Sequence, residues 1–495
     1  MTYITVGQRK NRTILFTIFG IIWVLLNACA AYYPSLGITI GVLSLLILLI
    51  VFFRRDIESY ILTYIFITTT ALEGQIFYTG ESGIPLYNFL NLPKMHGYHV
   101  YLCALIPWLL MLLPSQNHIV GRWKKNKDLG WYLKGILIMG ILGFATCILC
   151  TLFNVNDIQN SSIFIMNLRR DILKVWWGIS ISLLLGEMLS TYEGFAEKLE
   201  ALLYSLLLGI MPSSLILLAL GKTVVFEKSH VLPIGLFFFF GTLLVVFILY
   251  PQYRKSVFAF FMGMGTCVIT LIYPSVLGGK WWLVIFCIPV IVLLLFKNQS
   301  LNRKVLLLIF CLFIAAIGIP FITWYLSHAS TLSIHKLNSA KAILEIWDPG
   351  WIENMPSSPK HRIDEFLNII IEMKEHPIFL PFGKGYGGNI LHHIALKPWT
   401  VNGDFSEFEV AEELFFNLHE TINWIFLKSG LFGLVFTISI GFKCIKNIKY
   451  SPWIILGGIW FLFYYNNYIS LSFGLSCLIL GLYQADQIKK VSKDT

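Results

Sequence analysis

The sequence predicts an all-α polytopic membrane protein with 12–14 transmembrane helices and one large, partly helical loop outside the cytoplasm. Three observations carry that expectation. The 495-residue chain is 57% hydrophobic and 13% charged, whereas soluble domains run near about 25% charged. Apolar runs of roughly 20 residues, enough to cross a ~30 Å hydrocarbon core, recur from end to end. Lys and Arg are concentrated in alternate connecting segments, as the positive-inside rule requires of a bundle with both termini in the cytoplasm.

The apolar runs lie near 13–31, 35–53, 57–72, 98–114, 131–153, 172–190, 200–220, 232–250, 256–274, 281–296, 305–326, 421–441, 452–465 and 468–484. The run at 13–31 has no small-residue cleavage site and is followed at once by another, so it reads as a retained helix. The third run and the last two are short, which sets the range of 12–14. With the N-terminus inside, the short inner segments hold 21 Lys and Arg and the short outer ones hold 7. Three regions result: a membrane bundle of about 11 spans over 1–326, a large outer loop over 327–420, and about three further spans with a cytoplasmic tail over 421–495. Positive-inside loops account for the net charge of +10. No segment interleaves basic and aromatic residues in a polar context, so the expected partners include membrane lipids and no nucleic acid. None of the nine cysteines falls in the loop, and Cys147 and Cys150 form a CxxC inside an apolar run that reads as buried packing thiols.

The loop is a different material. It holds 13 of the 27 acidic residues and seven of the 11 histidines. A connection this long is usually functional. An amphipathic helix is expected from about 359 to 376, with Ile363, Phe366, Leu367, Ile370 and Ile371 as its apolar stripe and Pro377 ending it. A glycine turn follows, with Gly383, Gly385, Gly387 and Gly388. Glu407 to Glu413 then leads toward the next span.

The residues with chemical potential cluster around this loop. His419 stands where the chain re-enters the membrane; a histidine there can act as a general base near neutral pH or can simply sit at the interface. Gly430 and Gly433, three apart, allow close helix packing. Arg362 on the loop helix can grip phosphate through its planar fork, or can belong with Asp364 and Glu365 to a solvated face. Lys280, at an outer span mouth in Gly279-Lys280-Trp281, can bind an anion or snorkel. The turn Gly383-Lys384-Gly385 reads as a simple turn or as an anion nest. Lys428, inside a span, should face a polar cavity or snorkel. His392-His393 is a weak metal hint.

Together these pieces resemble the O-antigen ligase and O-antigen polymerase superfamily of bacterial membrane glycosyltransferases. That family has a His followed by an amide or Ser residue, nine residues, and GxxG opening the span after a periplasmic loop; here the segment is His419-Glu420, nine residues, and Gly430-Leu431-Phe432-Gly433. The family's loop Arg and P..G.G segment correspond to Arg362 with Phe366 and to Pro381-Phe382-Gly383-Lys384-Gly385. The match covers roughly residues 270–484. Glu420 stands in place of the amide, Lys280 in place of an Arg, and Lys428 where an acid is often found. The resemblance implies His419 as the catalytic base and Arg362 with Lys280 on a diphosphate. Glu420 and Lys384 would be accessory, and Gly383, Gly385, Gly430 and Gly433 structural. It implies a site with no metal or cofactor. The donor would be an undecaprenyl-diphosphate-linked saccharide, with a chain-length regulator or flippase as a partner. The location would be the bacterial inner membrane with the loop periplasmic. Polymerisation of lipid-linked repeats into O-antigen, capsule or exopolysaccharide is the expected reaction. Ligation to lipid A core and lipid-linked oligosaccharide flipping are the alternatives.

Overall fold

The structure is a computed structural model. It describes residues 15–23, 26, 34–70, 94–95, 98–99, 126–153, 161–219, 224–226, 229–231, 351–355, 357–394, 396, 399, 405, 407–416, 418–465 and 471–494. The spans expected near 232–250, 256–274, 281–296 and 305–326 lie outside the described residues, as does Lys280.

The described chain is mostly helical. In order come α1 (Pro34–Phe53), α2 (Ile57–Thr70), β1 (Lys94–Met95), β2 (Tyr98–His99), α3 (Lys127–Leu152), α4 (Ser161–Thr191) and α5 (Phe195–Ala219). There follow β3 (Val224–Phe226), β4 (Ser229–Val231), α6 (Trp351–Asn354), α7 (Ser357–Glu375), a 3-10 turn (Pro377–Phe379), α8 (Glu407–Ala411), α9 (Thr421–Asn447), α10 (Trp453–Tyr464) and α11 (Leu471–Asp494). The strands pair as two short antiparallel hairpins, β1 with β2 and β3 with β4. They depart from the all-α expectation, and Tyr98 and His99 belong to a strand where a span was expected to begin.

Two compact units divide the chain: residues 1–41, 70–89 and 201–356 in one, and 42–69, 90–200 and 357–495 in the other. They do not follow the division at 326 and 420, because the second half of the loop clusters with helices on both sides of it. In the first unit the described parts are the helical residues 15–23 and 26, the start of α1, most of α5, the β3–β4 hairpin and α6. The second unit holds α3, α4, α7 and α9–α11, and with them every described candidate residue.

Among the described residues, three helices are long and apolar enough to cross a membrane: Lys127–Leu152, Asn167–Thr191 and Thr421–Asn447. Their outward faces fit a bilayer. Leu431, Val435, Ile438, Phe442 and Ile445 form one exposed apolar stripe on α9, and Ile138, Ile141, Ile148 and Leu152 form another on α3. Water would not tolerate such continuous patches. The inward faces pack through small residues, which let helix backbones approach closely. A Cβ on Gly457 would meet the backbone of Leu478, one on Gly474 the ring of Trp460, and one on Gly481 the backbone of Ile454; these contacts join α10 to α11. The Asp486 carboxylate accepts the Asp128 and Leu129 amides at 2.9–3.1 Å and so caps the start of α3. Asp128 in turn takes Lys443 at 2.6 Å and Lys489 at 2.5 Å, which ties α3 to the ends of α9 and α11.

One feature of α9 positions the loop. Gly430 has φ 58° and ψ −152°, so the helix is broken there. The break frees backbone groups on both sides, and residues 380–385 take them up. The Lys384 amide donates to the Leu427 carbonyl at 2.8 Å and the Gly385 amide to that of Lys428 at 3.2 Å. In return the Leu431 and Phe432 amides donate to the carbonyls of Leu380 and Pro381, both at 2.9 Å. Tyr386 continues inward, its amide on the Gly143 carbonyl at 3.1 Å and its hydroxyl on that of Gly140 at 2.7 Å. The glycine turn is therefore wedged among α3, α4 and α9, with its amides turned to protein groups.

Gly430 occupies a region of backbone space that is essentially restricted to glycine, and a Cβ there would overlap the Gly383 amide nitrogen. Gly430→Ala should therefore destabilise the protein by about 3 kcal/mol or more, given ~1–3 kcal/mol for the strained conformation alone. Gly441→Ala, whose Cβ would meet only Leu462 at 3.7 Å, should leave stability unchanged. Thermal unfolding of both variants in detergent checks the contrast.

Candidate functional site

Helix α7 forms over Ser357–Glu375 and stops before Pro377, as the sequence predicts. Its buried face is not the expected one. Ile370 is 41% exposed and the rest of the apolar stripe is only half-buried, whereas His361, Asp364, Glu365, Asn368 and Glu372 are each 3% exposed or less. These positions, at spacings of three and four, form one polar stripe, and the described residues between 389 and 419 fold over it. Asp364 and Glu365 are thus not on a solvated face. The physical reason is that each of these side chains has at least one specific partner, which offsets most of the desolvation penalty that would otherwise keep it outside.

The partners can be followed along the helix. Asp364 accepts the Trp399 indole N–H at 2.9 Å. Asn368 donates to the Ile394 carbonyl at 2.9 Å and accepts the His393 and Ile394 amides at 2.6 and 2.9 Å. Glu372 pairs with Lys384 at 2.7 Å and accepts the Leu391 amide at 3.2 Å. Trp399, Phe405 and Phe415 pack edge to face and tilted beside this stripe, with centroids 4.3–4.9 Å apart. The backbone pair Ile390–Phe415 ties the two halves of the covering segment.

In the N-terminal half of α7 three groups converge. His419 Nδ1 lies 2.7 Å from Glu365 Oε1, His361 Nε2 lies 3.0 Å from His419 Nδ1, and His361 Nε2 lies 3.3 Å from the same carboxylate oxygen. Glu365 is fully buried. It also accepts the His419 backbone amide at 3.0 Å and the Asn423 side-chain amide at 2.9 Å. Burial opposes ionisation of Glu365, but hydrogen bonds from His361 and His419 outweigh it and hold the carboxyl down at about 2. An ionised carboxylate can only accept, so His419 Nδ1 carries the proton and its Nε2 has a free lone pair. That ring is 29% exposed, and among the described residues Nε2 makes no hydrogen bond. A carboxylate-oriented imidazole with one open nitrogen is the arrangement of a general base.

Arg362 lies beside this group on α7. Its Nε pairs with Glu420 Oε1 at 2.7 Å, its side chain is 34% exposed, and its terminal nitrogens make no hydrogen bond among the described residues. Its carbonyl accepts the Asn423 side-chain amide at 2.9 Å, so Asn423, on the first turn of α9, holds both Arg362 and Glu365. His419, Arg362 and Glu420 are thereby brought together. Lys384 is not with them. It is buried between Glu372 and the Asn389 carbonyl. Lys428, likewise buried, pairs with Asp171 at 2.5 Å and donates to the Gly388 carbonyl at 2.7 Å. The Cys150 thiol donates to the Lys384 carbonyl at 3.1 Å. Gly433 packs on Ser429 and Ile425 of its own helix. His392 stacks on Trp399 at 3.9 Å.

Sequence reasoning missed Glu365, His361 and Asn423. The available signals were a His and a Glu four apart on a helix and the polar stripe at 361, 364, 365, 368 and 372. No protein-family model, no curated protein and no solved structure matches the chain.

Burial opposes the charge on Glu372 as well, but Lys384 beside it holds that carboxyl below its ordinary value of 4.5. Its contribution is thus fully present above pH ~4.5 and is lost as the pH falls below that value. Glu372→Gln should cost roughly 3–5 kcal/mol at neutral pH by leaving Lys384 buried without a carboxylate. The gap to wild type should narrow on acidification. Glu375→Gln, at a half-exposed position, should change stability by less than ~0.5 kcal/mol. Denaturant titration of the three proteins at several pH values tests this.

Proposed function

We propose that the chain is a polytopic inner-membrane glycosyltransferase that joins lipid-linked oligosaccharide repeats into a cell-surface polysaccharide. The observation that carries this reading is His419, held at Nδ1 by the buried Glu365 at 2.7 Å with Nε2 open, next in sequence to the residue that pairs with Arg362. A base beside a permanent cation suits the displacement of a diphosphate by a hydroxyl. The resemblance around His419, Arg362 and the glycine segments supports the same reading, as do the three helices long and apolar enough to span a membrane. In this scheme both termini are cytoplasmic and α7 with its covering segment is periplasmic.

The donor is a saccharide on undecaprenyl diphosphate. Nε2 of His419 takes the proton from the acceptor hydroxyl as its oxygen attacks the anomeric carbon. The bond from that carbon to the phosphate oxygen breaks, its electron pair leaves on the diphosphate, and the anomeric configuration inverts. The Glu365 carboxylate keeps Nδ1 protonated and stabilises the imidazolium that forms. The Arg362 guanidinium offers its unpaired nitrogens to the developing charge on the leaving group, with Lys280 as a second candidate cation. Neither a metal nor a cofactor takes part in the transfer. Ligation of a finished chain to lipid A core is the same chemistry with a different acceptor; the expected span number favours polymerisation.

A surface-polysaccharide gel from a deletion strain complemented with wild type, His419→Ala or Arg362→Ala tests the proposal, with membrane protein levels measured alongside. His419→Ala should lower chain extension by about 10²–10⁴-fold, the usual contribution of a general base, and leave single-repeat material. Long lipid-linked chains with no polymer on lipid A core would instead identify a ligase. Normal polymer from both variants, present at wild-type levels, would remove the catalytic reading and turn attention to donor transport.

A further inference from the structure

His361 has no place in the transfer scheme, yet it is 2% exposed and aims Nε2 at the two groups that do. Its other nitrogen, Nδ1, is buried without a hydrogen-bond partner. No tautomer mends this. With the proton on Nδ1, a buried donor is left unsatisfied. With the proton on Nε2, that N–H meets the N–H of His419 at 3.0 Å and reaches the carboxylate only at 3.3 Å. An unsatisfied buried polar atom costs about 1–3 kcal/mol. The charge is also unbalanced: the fully buried Glu365 carboxylate has no Lys or Arg on it among the described residues, and a buried anion needs a cation.

The ligand atoms meet a further condition. His361 Nε2, His419 Nδ1 and Glu365 Oε1 are separated by 2.7, 3.0 and 3.3 Å, and they can hold a metal ion together. Three ligands about 2.0–2.2 Å from a tetrahedral zinc stand roughly 3.3–3.6 Å apart, so the closest pair has to open by roughly 0.6 Å or more and the others by less. Two imidazoles and a carboxylate are a set that suits zinc. The outer shell is already built, since the Asn423 amide and the His419 backbone N–H both hold the carboxylate, as second-shell donors do in zinc sites. The half-exposed side at His419 leaves a fourth position for water.

We propose that His361, Glu365 and His419 form a binding site for a divalent ion of the zinc type. The site itself does not depend on the glycosyltransferase reading; one consequence does. Coordination takes the Nδ1 lone pair of His419, so the proton leaves Nδ1 and the neutral ring carries it on Nε2. Nε2 is then an N–H donor with no lone pair for an acceptor proton. Zinc at this site therefore switches the base off, and transfer runs only in the ion-free state. The resemblance implies a site without metal, and the transfer step as proposed uses none.

The test is zinc binding by the full-length protein purified in detergent, stripped with a chelator and titrated with Zn²⁺, and with Co²⁺ as a spectroscopic probe. One ion per chain is expected, with a rise in melting temperature. His361→Gln and Glu365→Gln should each weaken binding by at least about tenfold, and His376→Ala, outside the cluster, should not. His361→Gln keeps a polar group at the site, and its fold is checked by unfolding without metal. Absence of saturable binding, or binding abolished by His393→Ala and not by His361→Gln, overturns the site. The two proposals fail separately. If His419→Ala abolishes transfer and zinc never binds, the metal site falls and the transferase reading stays. If zinc binds through His361 while His419→Ala transfers normally, the metal site stays and the transferase reading falls.

Discussion

The break in α9 is the constraint from which the rest of the second unit follows. Where water is excluded, a helix cannot simply stop and restart, because each freed carbonyl and amide must find a partner within the protein. Gly430 opens such a gap, and residues 380–385 close it with four backbone hydrogen bonds. The turn of this segment carries Lys384 into the interior, which then requires Glu372. The same break leaves Lys428 on the inward side, where Asp171 and the Gly388 carbonyl meet it. Glu372 is on α7, so the repair of α9 also fixes where α7 lies. That in turn sets Glu365 at the foot of α9, within reach of His419 and Asn423.

A polar helix face can be a core face when its partners are specific. The stripe on α7 puts three acids, an amide and a histidine against an indole N–H, backbone amides, a lysine and a second histidine. Such networks contribute little net stability but are very sensitive to the loss of a single member. They do favour one arrangement over all others. Here that arrangement sets the proton position on His419, which an apolar core could not do.

The apolar runs made the helices legible: α1, α2, α3, α5, α9 and α10 lie where hydropathy puts them, within a few residues. α7 was legible in extent, since Pro377 closes it, but not in orientation. The amphipathic rule assigns the apolar stripe to the core, and it fails when a covering segment brings its own hydrogen-bonding groups. His419 and Arg362 could be singled out by their place in the chain and their chemistry, and Glu420 through the resemblance. Glu365 could not, because an acid beside an arginine on a helix usually faces solvent; only its tertiary contacts with His419 and Asn423 decide otherwise. Gly430 illustrates a different limit. GxxG spacing speaks of close packing, whereas the backbone angle that breaks α9 leaves no mark in composition. Lys428 was expected in a polar cavity or at the interface, and Asp171, 257 positions earlier in the chain, offered no local sign that it would be the counter-charge.

The remaining puzzle of the site is why Arg362 has an acid next to it at all. Glu420 neutralises the guanidinium through Nε, at 2.7 Å, but both side chains are partly exposed, and a pair in that setting contributes only about 0–1 kcal/mol. It is therefore easily opened or shared. It also occupies one edge of the fork and leaves the terminal nitrogens outward, which orients the cation without quenching it. In the proposed reaction an anion has to be held during transfer and released afterwards. A free arginine would hold a diphosphate tightly in the ground state and after the reaction, which lowers KM without raising kcat. An arginine with a weak competing acid binds the ground state less firmly, and its attraction rises as charge builds on the leaving group. In that proposed scheme Glu420, at the position where the resembling family has an amide, sets the strength of the anion grip; it also directly precedes the first turn of α9, so the proposed grip and base rest on adjacent positions of one chain segment.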